Sequence, residues 1–305
     1  MVTASAGDGA RPAAAGRAPS GTASSGAASG GPQAADQADA PLLRLRNIGK
    51  SFGPVQALVG VDLDIPAGQV TALVGDNGAG KSTLIKTISG IWEPTTGEML
   101  WNGTAVHLHT PKDATDLGIA TVYQDLALCD NLDIVQNMLL GHEMRRHGLL
   151  DEVNMELTAK RTLADLRVVS VRSIRQPVGS LSGGQRQSVA VAKAVMLDAR
   201  LVIMDEPTAA LGVTQTELVL ELIARLKSRG HAVIVISHNL TEVFQVADRL
   251  AVLYLGRLVA AGPASDFDTQ SAVEVMTTGK STRLGANGTA AEPAPSRGRD
   301  SGTEG

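Results

Sequence analysis

The chain has 305 residues, 43% hydrophobic and 19% charged, enough for one large domain or two small ones. Lys and Arg total 27 against 31 Asp and Glu, a formal net charge of -4, and aromatics make up 2%. This excludes a strongly basic nucleic-acid binder and leaves too few rings for base stacking, so no nucleic-acid partner is expected.

Residues 1–40 contain no Leu, Ile, Phe, Trp or Tyr and are mostly Ala, Gly, Ser, Pro, Thr, Asp and Gln. Such a segment buries too little surface to offset its ordering entropy, and it lacks the apolar stretch of a secretory signal. A disordered tail is expected there and a second one over 281–305, leaving 41–280 as the folded domain. The segment from Leu42 to Gly68 has period-2 stretches and Gly turns, which predict an antiparallel meander. Val70–Gly75, Gly118–Tyr123, Arg200–Asp205 and Ala232–Ser237 are short apolar runs separated by helix-like segments. That alternation predicts an α/β fold with a mostly parallel sheet covered on both faces. The stretch of about 126–178 has helical patterning and reads as an inserted helical subdomain. The single cysteine, Cys129, excludes an intrachain disulfide and is expected to be a small buried apolar residue. No run approaches the ~18 apolar residues of a membrane-spanning helix, so a membrane role would have to come through a partner.

Gly75-Asp76-Asn77-Gly78-Ala79-Gly80-Lys81-Ser82 fits the pattern G-x-x-x-x-G-K-[ST], and Thr83 follows within the same helix start. An apolar strand precedes it and the helical segment KSTLIKTIS follows, ending at Gly90. Glycines let backbone N–H groups converge on phosphate oxygens, and the helix start adds partial positive charge. Lys81 is expected to reach the β- and γ-phosphates and Ser82 to give a hydroxyl to Mg²⁺. Asp205 and Glu206 close the apolar run LVIM, Asp205 to hold Mg²⁺ through its water shell and Glu206 as general base for the attacking water. Together these segments predict binding and hydrolysis of a nucleoside triphosphate.

Leu181-Ser182-Gly183-Gly184-Gln185 stands just before a second helical segment, about twenty residues ahead of Asp205. Here the chain resembles the ATP-binding cassette (ABC) family, whose signature is LSGGQ, over roughly residues 42–275. The resemblance implies that ATP lies between the phosphate loop of one cassette and Ser182, Gly183, Gly184 and Gln185 of a second, most simply in a homodimer. It also implies that Gln124 contacts the metal and attacking water, that His238 contacts the γ-phosphate and that Phe52 stacks on adenine. One departure stands out. Many members have Asp in the loop after Glu206, where this chain reads Ala209-Ala210-Leu211-Gly212.

Tyr123–Glu143 and Ile236–Val259 are similar to the ATPase subunits of bacterial ribose, fructose and xylose importers. That resemblance implies a transmembrane permease, indirectly an extracytoplasmic solute-binding protein, and a peripheral place on the cytoplasmic face of the membrane. A soluble single-cassette ABC ATPase of iron–sulfur cluster assembly, or of another non-transport role, is the alternative. A small-molecule kinase would leave Leu181–Gln185 without a use.

Overall fold

The structure is a computed structural model that describes residues 41–280 apart from 169, 170, 197 and 210; the two expected tails lie outside the described residues. The opening meander forms as β1 (Leu43–Phe52) and β2 (Val55–Ile65), antiparallel and joined at Gly53-Pro54. With β4 (Thr96–Trp101) and β5 (Thr104–Val106) they make a four-stranded sheet ordered β2-β1-β4-β5. A bulge at Asn47, whose φ is 50°, breaks the in-out alternation of β1 and returns Ile48 to the interior.

The second sheet is ordered β12-β11-β3-β10-β9-β6. Its strands β3 (Val70–Gly75), β6 (Ile119–Val122), β9 (Leu201–Asp205), β10 (Ala232–Ile236) and β11 (Arg249–Tyr254) are parallel, and β12 (Arg257–Pro263) is antiparallel to β11. The apolar runs are continuous because both faces are covered. Leu73, Ile203 and Ile234 join β1 and helix α1 (Lys81–Ile88) in one core cluster. Their neighbours Val202, Met204, Val233 and Val235 face a second cluster. That cluster is built on α5 (Gly183–Met196) and α6 (Val213–Ser228). A third cluster packs α7 (Leu240–Val246) and α8 (Thr269–Thr278) against β11. The short α2 (Pro111–Asp116) precedes β6 and is closed by a Thr110–Asp113 capping box.

Between β6 and α5 lie α3 (Ile134–Leu139), the two-residue strands β7 (Arg145–Arg146) and β8 (Leu149–Leu150), and α4 (Glu152–Asp165). The β7–β8 hairpin was not expected from helical patterning; His147 and Gly148 supply its turn with φ of 53° and 84°. Asn137 is fully buried in α3, accepts from the Cys129 N–H at 2.7 Å and donates to the carbonyls of Cys129, Leu132 and Asp133. It therefore organises the backbone downstream of Gln124. Arg175 ties Asp133 at the start of α3 to Glu152 and Glu156 of α4, at 3.3, 3.3 and 3.4 Å. Cys129 is half-buried rather than buried, because its loop runs along the surface.

Candidate functional site

The site begins where β3 stops. The chain turns through Asp76–Gly80 and enters α1 at Lys81. Gly80 is the N-cap, with φ of 105°, and a Cβ there would come within 2.9 Å of the Ala57 carbonyl oxygen. Glycine therefore gives α1 a start with no capping side chain, and its first turn holds no acidic residue. The amide groups at that helix end have no side-chain acceptor of their own.

A cleft of about 560 Å³ opens in front of this helix start. Asn77–Thr83 line one wall, and Gln124, Asp205 and Glu206 line another. Asp76 is exposed, and its Oδ1 accepts from the Asn77 N–H at 2.7 Å. Lys81 Nζ donates back to the carbonyls of Gly75 at 2.7 Å and Asp76 at 3.1 Å, so its cation is held over the loop. Burial lowers the Lys81 pKa, against the opposing pull of Glu206, Asp76 and Asp205. Burial, and then the Glu206 charge beside it, raise the Asp205 pKa, against Lys81 and Lys86. Such a carboxylate gains from a cation placed next to it. Together with the Ser82 hydroxyl and the Gln124 side chain it makes an all-oxygen donor set, the chemistry that suits Mg²⁺.

Glu206 sits just past β9 with φ of 49°, and its N–H donates to the Ile236 carbonyl of β10 at 3.0 Å. Its Oε2 accepts from His238 Nδ1 at 2.9 Å, an arrangement that puts the proton on Nδ1 and leaves Nε2 for another partner. The glutamate side chain is 19% exposed and the histidine 74%, so the pair runs from the cleft out to its mouth. Glu242, which sequence reasoning missed, locks the two loops together. Its carboxylate accepts from Thr208 Oγ1, two residues after Glu206, and from Asn239 Nδ2, next to His238, at 2.7 Å. Only its place one turn into a helix with an Asn cap could have drawn attention to it.

Phe52 stands apart from the cleft lining. Its ring meets Trp92 edge-on at 4.7 Å, with Lys50 Nζ 5.2 Å from its centre. The residues of that end which do line the cleft are Val55–Ala57 and, from the β11–β12 turn, Leu255 and Gly256. None of these was singled out in the sequence, where they read as ordinary turn and strand positions.

Ser182–Gln185 do not line the cleft either. They form the start of α5 rather than a loop ahead of it: Gly183 is its first residue. The Ser182 N–H donates to Gln185 Oε1 at 2.9 Å and the Gln185 N–H to Ser182 Oγ at 3.4 Å, a reciprocal capping box. Gly183 and Gly184 also let the start of α6 approach, since a Cβ on Gly183 would lie 2.7 Å from Leu211 and one on Gly184 3.2 Å from Gln215.

The fold and this cleft define a phosphate-loop nucleotide-binding cassette. A family model described as ABC transporter matches residues 58–209. The fructose import ATP-binding protein FrcA of Rhizobium meliloti is 44% identical over 250 residues, 80% of this chain and 96% of that protein. The xylose/arabinose import ATP-binding protein XylG of Sulfolobus acidocaldarius is 45% identical over 236 residues, 77% of this chain and 94% of that protein. Among solved structures, a dimeric post-hydrolysis state of the ATP-binding cassette MJ0796 with ADP and Pi superposes with a TM-score of 0.61. It is 26% identical and covers 74% of this chain and 100% of that one. The chain belongs to the ABC transporter family, as an ATPase cassette of the kind that binds ATP.

Proposed function

We propose that the chain is the ATP-hydrolysing subunit of a monosaccharide importer. The observation that carries this reading is the 44% and 45% identity with the fructose and xylose/arabinose import ATP-binding proteins over nearly their whole lengths. Among the described residues no helix is long and apolar enough to cross a membrane, so the translocation path falls to a permease. The cassette then works from the cytoplasmic face, with a solute-binding protein delivering sugar on the other side.

In this reading the backbone of Gly75–Ser82 and the Lys81 ammonium hold the β- and γ-phosphates. Asp205, Ser82 and Gln124 hold Mg²⁺, which when bound neutralises charge on the phosphates. Glu206 accepts the proton of the water that attacks the γ-phosphorus, and the bond to the bridging oxygen breaks to give ADP and phosphate. His238 keeps the Glu206 carboxylate oriented through Nδ1 and presents its other nitrogen to the γ-phosphate. Phe52 is outside the cleft lining itself, but its strand partner Val55 lines that end, and its ring closes over the adenine once ATP is bound. Ser182, Gly183, Gly184 and Gln185 act on the ATP of a second copy, since they lie outside their own chain's cleft. Closure of the two copies drives the permease, and hydrolysis releases it.

The test is reconstitution with the permease and solute-binding protein in vesicles. ATP turnover should rise when the binding protein carries a monosaccharide and stay basal with an amino acid. Turnover indifferent to every sugar, or stimulation by an iron–sulfur scaffold instead, would overturn the import reading.

A further inference from the structure

The turn between β11 and β12 connects the back of the phosphate loop to the rim of the cleft. Tyr254 pairs with Arg257, so Leu255 and Gly256 are the two central residues of a hairpin loop. Their φ values are 45° and 78°. Positive φ at both positions is the requirement of a type I′ turn, whose first position ordinarily takes Asn, Asp or Gly. Leucine in that conformation is sterically strained, its Cβ crowding the following carbonyl oxygen. It is nonetheless 69% exposed, so no core contact of its own offsets the strain.

Gly256, by contrast, is pinned. Its N–H donates to the Ala79 carbonyl of the phosphate loop at 2.9 Å, and its carbonyl accepts from the Val59 N–H of β2 at 2.8 Å. A Cβ at this position would lie 2.7 Å from the Ala57 carbonyl oxygen. The turn is therefore locked against the loop expected to hold phosphate, and the strained leucine beside it lines the cleft. Val55 is the other markedly exposed apolar side chain of the same lining, at 62%. The Lys81 end of the cleft is polar and charged, so an apolar side chain suits the nucleoside and not the phosphates.

We propose that Leu255 is a nucleotide-binding residue. Its side chain, together with Val55, makes apolar contact with the nucleoside of the bound nucleotide, and Gly256 holds it in register with the phosphate loop. This rests on the ATP-binding reading above and extends it to a position that the motifs do not include. A residue strained for no ligand-related reason would be replaced without loss by one suited to positive φ.

The experiment uses the full chain and two probes, ATP and inorganic tripolyphosphate, by calorimetric titration. Leu255→Asn keeps a side chain that tolerates positive φ and removes the apolar contact. It should raise the ATP dissociation constant by about five- to tenfold, leave tripolyphosphate binding unchanged and not lower the apo melting temperature. Leu255→Gly should do the same. Gly256→Ala, which disturbs the brace, should weaken ATP and tripolyphosphate in parallel. Unchanged ATP affinity in Leu255→Asn, or equal loss for both probes, would overturn the proposal. If wild-type protein binds neither probe, the fault lies with the ATP-binding reading itself.

Discussion

The starts of α1 and α5 look alike in sequence and differ in physics. Each follows a glycine-bearing turn and each was expected to meet phosphate. At α1 the N-cap is Gly80, no side chain caps the helix, and a cleft with a lysine and two acids stands in front of it. At α5 the helix caps itself, Ser182 and Gln185 satisfying each other's amides, and no lining of that cleft comes from it. The first end is open and electrostatically loaded, and the second is closed and relaxed. A ligand at the first displaces no capping side chain, whereas at the second it must compete with the capping box. Two unequal half-sites of this sort suit a sandwich in which one copy grips the nucleotide and the other completes it.

The largest effect should come from the loaded end. Glu206→Gln removes the proton acceptor but keeps shape and hydrogen bonding, so ATP turnover should fall by at least ~100-fold while ATP binding persists. Because the ATP held between the two copies is then not hydrolysed, light scattering with ATP should show a stable dimer. Rapid turnover by this variant would remove Glu206 from the base role.

The unequal halves can then be tested against each other. Lys81→Ala should weaken ATP binding about 10- to 100-fold, since charge-assisted hydrogen bonds are lost. Ser182→Ala should leave the first binding step intact and reduce turnover. Mixed in equal amounts at an ATP concentration where each alone turns over little, the two impaired variants form heterodimers in which one composite site is wholly wild type. About a quarter of wild-type turnover should return, half the dimers carrying one of two sites. If none returns, the two ends do not belong to one site.

Much of the loaded end was legible in the sequence because its chemistry is local. Gly75–Ser82 follow one strand and open one helix, and Asp205 and Glu206 close another, so strand periodicity and turn residues place them in the fold. What escaped is long-range. Leu255 and Gly256 reach the cleft only because β11 pairs with β3, and Glu242 matters only because α7 returns to the loop after β9. The capping box at Ser182 was spelled out as S-x-x-Q, but the resemblance drew the reading toward an anion and away from the helix's own amides. Phe52 was named through the resemblance, as the ring that stacks on adenine; its neighbour Trp92, forty residues away, was not singled out. The hairpin at 145–150 gives too short a signal to stand out from helical patterning.

The smallest effect sharpens the contrast most directly, because the two ends should answer in opposite directions. Burial and the adjacent Glu206 make the folded protein hold the Asp205 proton more tightly than the unfolded chain does. A raised carboxyl pKa contributes stability below the unfolded value and loses it as pH climbs through the folded value. At neutral pH the ionised Asp205 is therefore a net cost to the nucleotide-free protein. In EDTA at pH 7, Asp205→Asn should melt a few degrees above wild type, and the gap should narrow as pH falls and Asp205 takes up its proton. Ser182→Ala should instead lose about 1 kcal/mol with its helix cap, at pH 7 and pH 4 alike. Adding Mg²⁺ and ATP should stabilise wild type more than Asp205→Asn, since the cation offsets a charge that asparagine lacks. An Asp205→Asn gain that is absent at pH 7, or the same at pH 4 and pH 7, would mean that the α1 end stores no electrostatic strain for its ligand to relieve.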